Sequence, residues 1–287
     1  MKPVIQADSL SFQYPGSHES AARDLNFMIE EGEIFGFLGP SGAGKSTTQK
    51  ILIGLLKGYT GKVTLMGKDL GQWDPDIYNH LGVGFELPNH YLKLTAIENL
   101  KFFGSFYQGN KDYEGWLEKV GLLVDANKKV EDFSKGMKVR LNFIRALMHD
   151  PQILFLDEPT TGLDPVNARI LKNIILEQKA RGKTIFVTTH NMHDADELCD
   201  RISFIVDGKL IITDTPKQLK LAHGKPKVRI EYVLGGQSTK TEEFLLKDLA
   251  GESKFMDIIK TQEVISIHSQ EASLDEVFIK VTGKNLV

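Results

Sequence analysis

The most specific chemistry in the sequence sits in nine residues, Gly39-Pro40-Ser41-Gly42-Ala43-Gly44-Lys45-Ser46-Thr47. They satisfy Gly-x-x-x-x-Gly-Lys-[Ser/Thr], a spacing that cradles phosphate. Glycines let the backbone turn so that successive N–H groups aim at one point, and a helix starting there adds partial positive charge. Lys45 would reach the β- and γ-phosphates of a nucleoside triphosphate, and the Ser46 hydroxyl would ligate Mg2+. Phosphoryl transfer also needs a metal ligand and an activated water. Asp157 and Glu158, which follow the apolar run Ile153-Leu154-Phe155-Leu156, suit both tasks. Asp157 would hold Mg2+ through its waters, because that ion keeps much of its hydration. Glu158 would serve as general base toward water. Taken alone, Asp157-Glu158-Pro159 also reads as a solvated turn; the lysine loop upstream favours the catalytic reading.

These residues need elements to position them. Ile34-Phe35-Gly36-Phe37-Leu38 predicts a buried strand entering the loop, and Ile51, Leu52, Leu55 and Leu56 recur at helical spacing behind it. Val4 to Phe12 and Leu25 to Glu30 alternate as strands of a half-exposed sheet, with the aromatic turn Tyr14-Pro15-Gly16 between them. Val63 to Met66 gives a further short strand. Asp74-Pro75 opens a short helix, and Leu81 to Phe85 reads as a strand. Thr95 to Glu98 is a capping box ahead of Leu100, Phe102, Phe103 and Phe106, and Trp116, Leu117 and Val120 continue the stripe. Residues from about 87 to 148 therefore read as mostly helical, with aromatics that pack a core. Ser134 can cap a helix carrying Met137, Leu141, Ile144, Ala146 and Leu147, which Asp150-Pro151 ends. Pro165 starts a helix running to about Arg181. Thr184 to Thr189 is a buried strand ending at His190, and a helix through Ala195 and Leu198 follows. Arg201 to Val206 and Leu210 to Ile212 flank an Asp207-Gly208 hairpin turn. Strands alternating with helices imply a parallel sheet with right-handed crossovers. From about residue 216 onward, strands over 225–234, 240–246 and 264–268 and a helix over 274–281 suggest a small appended α/β unit.

Composition narrows the classes. The 287 residues are 41% apolar, enough for one large or two modest cores. A net charge of −3 gives no electrostatic case for a nucleic-acid partner. The single cysteine, Cys199, cannot form an internal disulfide and reads as a buried structural thiol in a reducing compartment. The start, Met1-Lys2-Pro3-Val4, lacks the apolar core of a signal peptide. No apolar run approaches the ~18 residues that would span a bilayer. The chain is expected to be soluble and cytoplasmic, with any membrane-spanning part supplied by another chain.

Leu156-Asp157-Glu158-Pro159-Thr160-Thr161-Gly162-Leu163-Asp164 resembles the second phosphate motif and following D-loop of ATP-binding-cassette (ABC) transporter ATPases. His190 falls where that family keeps its switch histidine. Phe133-Ser134-Lys135-Gly136-Met137 falls where it keeps its signature, and Tyr14 where it stacks an aromatic on adenine; packing of that ring on the core is the alternative. The resemblance covers about 4–219. It implies an α/β fold: a P-loop nucleotide hydrolase core with an antiparallel β-subdomain, a helical subdomain insert (about 87–148) and a small C-terminal α/β extension. The ATP-binding domain would span 1–215 and an accessory or regulatory unit 216–287. Ser273-Leu274-Asp275-Glu276-Val277-Phe278 and Thr282-Gly283 resemble the tails of drug- and lipid-export cassettes.

The resemblance further implies ATP and Mg2+ as cofactors and a head-to-tail homodimer, with ATP between the Gly39–Thr47 loop of one copy and Ser134 and Gly136 of the other. The start of the Ser134 helix would offer N–H groups and a positive dipole end. His190 would contact the γ-phosphate and position the attacking water, and Asp164 would lie at the dimer interface. A separate transmembrane permease would hold the chain to the inner face of the membrane, with the helical insert docking on it. A soluble cassette acting on ribosomes or DNA, and a catalytically silent binding module, are the alternatives. Two departures stand out. The family has Gln near Mg2+ where this chain has Glu86, which still offers oxygen but adds negative charge. The signature is usually Leu-Ser-Gly-Gly-Gln, so Lys135 and Met137 are unusual; Lys135 would either charge the nucleotide site or face solvent. Lys45→Ala is expected to abolish tight ATP binding, a loss of ~3 kcal/mol or about 100-fold in Kd. A nucleotide titration that finds the Kd unchanged would refute the role given to Lys45.

Overall fold

Period-two alternation produces two long antiparallel strands, β1 (Pro3–Gln13) and β2 (Ser20–Glu30). β2 begins well before Leu25 because pairing with β1 continues through Ala22 and Ser20. There follow β3 (Ile34–Leu38), α1 (Lys45–Leu52), β4 (Thr60–Leu65), β5 (Lys68–Asp69), β6 (Leu81–Gly84), α2 (Ala96–Gly104), α3 (Tyr113–Lys119) and α4 (Lys135–Leu147). Next come β7 (Ile153–Asp157), α5 (Pro165–Ala180), β8 (Thr184–Thr189), α6 (Met192–Leu198), β9 (Arg201–Val206) and β10 (Lys209–Asp214). This computed structural model describes residues 3–109, 111–234 and 238–284; the Met1 and Lys2 of the N-terminal stretch and the last three residues of the 216–287 region lie outside them. Residues up to Thr213 form one compact unit and those from Asp214 onward a second.

In the first unit a four-stranded sheet, β2-β1-β4-β5, accompanies a six-stranded sheet ordered β10-β9-β3-β8-β7-β6. Within the larger sheet β9, β3, β8, β7 and β6 run parallel. Every residue of β3, β7 and β8 is buried, which is why each carries an apolar stretch, with the polar residues of β7 and β8 at their ends. Phenylalanines tie the two sheets together. Phe27 on β2 meets Phe35 and Phe37 on β3, and Phe37 meets Phe186 on β8, which meets Phe155 on β7. Each such burial contributes on the order of 2–3 kcal/mol. α1 stops at Leu52, short of the expected Leu55 and Leu56, because Gly54 takes φ +74° and turns the chain out of the helix. After Asp74 the expected short helix is a single 3-10 segment, Pro75–Asn79.

Across 87–148, α2, α3 and α4 are joined by irregular stretches and 3-10 turns. α2 carries the complete capping box, Thr95 with Glu98. α4 grips the loop after β6. Asn142 Nδ2 donates to Phe85 O at 2.8 Å, Arg145 bonds Asn89 O, and the His90 ring bonds Lys138 O at 2.9 Å. His149, just beyond α4, stacks on Tyr107 with ring centroids 3.7 Å apart and bonds Leu81 O at 3.0 Å.

The second unit contains α7 (Pro216–His223), β11 (Lys227–Leu234), β12 (Ser238–Leu245), α8 (Ser253–Thr261), β13 (Glu263–Gln270) and α9 (Leu274–Thr282). Its sheet is antiparallel, ordered β12-β11-β13. Val228, Ile230 and Tyr232 on one face of β11 form a core with Phe255 and Ile258 of α8. α9 packs on α7, and Ser273 caps α9.

Burial pushes the pKa of both His90 and His149 down to about 4. A histidine depressed in the folded state stabilises it fully above its unfolded pKa of about 6.5, and that contribution is lost as pH falls toward 4. Urea unfolding is therefore expected to show about 2 kcal/mol less stability at pH 5 than at pH 7.5 for each histidine. His149→Asn should show a smaller drop over that range; an unchanged drop would contradict the assignment.

Candidate functional site

The predicted chemistry collects at one edge of the parallel sheet. β3 runs into the Gly39–Thr47 loop, β6 leads to Glu86, β7 into Asp157 and Glu158, and β8 into His190. The carboxyl ends of parallel strands are where such sheets bind ligands. A cleft of about 230 Å3 is lined by residues 41–47, Glu86, Asp157, Glu158 and His190.

In the loop, Gly44 holds φ +105°, and a Cβ there would sit 2.2 Å from Ala21 O, so glycine is the residue that fits. Gly44 also caps α1 without a side-chain hydrogen bond, so the first N–H groups of the helix remain for an anion. Lys45 is 7% exposed, and its Nζ donates to Gly39 O at 2.6 Å and Pro40 O at 3.0 Å. Burial pulls its pKa down, while Glu158, Asp157 and Glu86 work in the opposite direction.

Ser46 Oγ lies 3.3 Å from Asp157 Oδ1, and Thr188 bonds the same oxygen. The β7–β8 register, which pairs Asp157 with Thr188, makes that second contact. Glu158 sits at φ +49°, a left-handed conformation costing about 1 kcal/mol for a residue with a Cβ. Its carboxylate, 7% exposed, accepts four hydrogen bonds: His190 N at 2.9 Å, His190 Nδ1 at 2.7 Å, Thr189 Oγ1 at 3.0 Å and Thr161 Oγ1 at 3.2 Å. An ionised carboxylate requires Nδ1 to be the donor, which leaves Nε2 of His190 for a ligand. The oxygen donors Ser46, Asp157 and Glu86 suit Mg2+. Among the described residues no three His, Cys, Asp or Glu side chains gather into a metal cluster.

Tyr14 packs edge-on against Phe12 with centroids 5.0 Å apart, and its hydroxyl lies 3.2 Å from Thr47 Oγ1. The ring thus both packs on the core and flanks the loop. Ser134, Gly136 and Asp164 do not line the cleft. Ser134 caps α4 through Met137 N, and Asp164 caps α5 through Val166 N and Asn167 N. The two segments meet: a Cβ on Gly136 would lie 3.5 Å from Leu163, and one on Gly162 would lie 2.9 Å from Lys135 Cε. Lys135 therefore lies across the D-loop instead of entering the cleft of its own chain. Sequence reasoning missed Thr161, Thr188 and Thr189, whose hydroxyls hold the two carboxylates. The signal for Thr188 and Thr189 is Thr188-Thr189-His190, polar residues ending a strand with an apolar centre.

The sequence profile described as ABC transporter matches residues 22–161, and that described as Fluoroquinolone efflux ABC transporter C-terminal domain matches residues 226–271. A fluoroquinolones export ATP-binding protein of Mycobacterium tuberculosis (strain ATCC 25618 / H37Rv) is 53% identical over 284 residues, covering 99% of this chain and 94% of that protein. The Nod factor export ATP-binding protein I of Rhizobium johnstonii is 32% identical over 314 residues, covering 100% of this chain and 97% of that protein. A solved ATP-binding cassette, a dimer in a post-hydrolysis state bound to ADP and Pi, superposes with a TM-score of 0.67 at 27% identity, covering 74% of this chain and 98% of that one.

Glu86→Gln removes one of three carboxylates facing Lys45. It is expected to tighten ATP binding in EDTA about fivefold, roughly 1 kcal/mol of repulsion across a solvated cleft, and to shift the Mg2+ dependence of turnover to higher concentration. If neither quantity moves, Glu86 has no part in the site.

Proposed function

The chain belongs to the ABC transporter family as an ATP-binding subunit, and from that premise we propose that two copies hydrolyse ATP between them to drive export through a separate permease. One observation carries this reading. Glu158 and His190 are joined at 2.7 Å on the cleft that holds the Lys45 loop, whereas Ser134, Gly136 and Asp164 lie off it. The loop side of the site is assembled within one chain, and the signature side faces elsewhere, as a symmetric head-to-tail pair requires.

In this reading the Gly39–Thr47 backbone and Lys45 bind the phosphates, with Tyr14 beside the base. Ser46, Asp157 and Glu86 would hold Mg2+, which when bound neutralises charge on the transferred phosphoryl group. Glu158 takes the proton of the attacking water, and its four donors fix the direction from which it does so. His190 turns Nε2 toward the γ-phosphate. From a second copy, Ser134, Gly136 and the start of α4 close over the nucleotide, with Asp164 beside them.

No helix among the described residues is long and apolar enough to cross a membrane. In this reading a separate permease supplies the passage, and the cassette works at the inner face of the membrane through it. The segment over 87–148 docks there, with Leu87, Tyr91, Leu92 and Phe106 exposed. The full-length relatives are export subunits, which favours this reading over a ribosome- or DNA-directed ATPase. The match over 226–271 supports a fluoroquinolone-class cargo, and the second unit an accessory or regulatory role. Glu158→Gln is expected to keep ATP binding, slow turnover at least about 100-fold and accumulate an ATP-bound dimer. Light scattering that finds only monomer with ATP and Mg2+ would count against the composite site.

A further inference from the structure

Outside the cleft, four charges join α5 to α6. Lys172 Nζ on α5 lies 3.1 Å from Asp194 Oδ1 and also bonds Glu197 Oε2, both on α6, and Arg169 bonds the other oxygen of Glu197. Lys172 and Asp194 are 5% and 7% exposed. Burial works against the Lys172 charge, but its bonds to Glu197 and Asp194 prevail and hold the ammonium above the usual lysine range.

A hydroxyl extends this cluster beyond a helix-to-helix tie. Thr160 Oγ1 donates to Asp194 Oδ2 at 2.6 Å. Thr160 stands between Glu158 and Thr161, and the Thr161 hydroxyl bonds Glu158. Asp194 also reaches Glu158 by a second route. Its N–H bonds Asn191 Oδ1 at 3.1 Å, and Asn191 N bonds Thr189 Oγ1 at 3.0 Å, the hydroxyl that donates to Glu158. Side chain and backbone of Asp194 thus lead by two routes to the same oxygen, Glu158 Oε2. The contact between Pro159-Thr160 and Ala195, Leu198 and Cys199 leaves no room for water beside the buried Thr160–Asp194 bond.

We propose that Thr160 and Asp194, with Lys172 as counter-charge, are positioning residues for hydrolysis: they pin the loop after Glu158 against α6 so that its carboxylate keeps all four donors. A buried carboxylate needs a partner charge to stay in place, and Lys172 is that charge. The proposal rests on the reading of Glu158 and His190 as the hydrolytic pair.

The test is steady-state ATPase kinetics on the full chain. Thr160→Val should lower kcat about tenfold, as a small misplacement of a reacting group does, while KM for ATP stays within about twofold. Thr160→Ser should restore kcat. Asp194→Asn should show the same split, and the double variant should be no slower than the slower single, because both cut one path. Lys172→Met supplies a second route should Thr160→Val fail to fold, with the same kcat-selective loss. Wild-type kcat in Thr160→Val or in Lys172→Met, or losses that multiply in the double variant, would overturn the proposal. Glu158→Gln separates the two readings: if it is inactive while Thr160→Val is fully active, only the positioning role falls. Full turnover in Glu158→Gln removes the hydrolytic pair and this inference together.

Discussion

Lys45 is a buried ammonium set against three carboxylates, and its own loop gives it only two carbonyl oxygens as partners. Burial weakens its charge; Glu158, Asp157 and Glu86 sustain it. The balance leaves the cleft with more negative than positive side-chain charge before any phosphate enters. A triphosphate therefore needs positive charge from beyond that one lysine. The uncapped N–H groups at the start of α1 supply part of it. Mg2+ on Ser46 and Asp157 would supply more, and in the proposed dimer the start of a second copy's α4 would supply the rest. The proposed requirements for metal and for a partner chain thus follow from one charge imbalance.

The fold keeps that imbalance in place by strand register. Parallel pairing of β7 with β8 sets Thr188 on Asp157, and the residues just beyond set Thr189 and His190 on Glu158. The phenylalanines beneath make these strands a buried block, so the carboxylates extend from a rigid edge. Glu158 nevertheless leaves its strand at positive φ. Four hydrogen bonds to its side chain hold a conformation that the backbone by itself disfavours.

Much of this was legible in the sequence. The Gly39–Thr47 loop, Asp157, Glu158 and His190 are chemically distinctive residues at strand ends, and the capping signals of Thr95, Ser134 and Pro165 placed their helices correctly. What escaped depends on tertiary register. The hydroxyls of Thr188 and Thr189 have no periodic signal, since they reach the carboxylates only when β7 and β8 pair. α1 ended early because a single glycine outweighed an apolar pattern that ran on past it. α7 and α8 escape the sequence because each is short, eight and nine residues, although α8 places Phe255 and Ile258 three apart on its buried face. Lys135 lies off the cleft of its own chain, beside the loop carrying Gly162, so any charge it brings to a nucleotide goes to that of a second copy.

The central claim is that each working site combines the Lys45 loop of one copy with the Ser134 helix of another. Mixing two inactive variants, Lys45→Ala and Ser134→Arg, tests it most directly through ATP turnover. A mixed pair contains one intact loop facing one intact signature. Random pairing should then recover about a quarter of wild-type turnover, since half the pairs are mixed and each holds one intact site. Turnover no greater than the sum of the two variants measured separately would contradict the composite site.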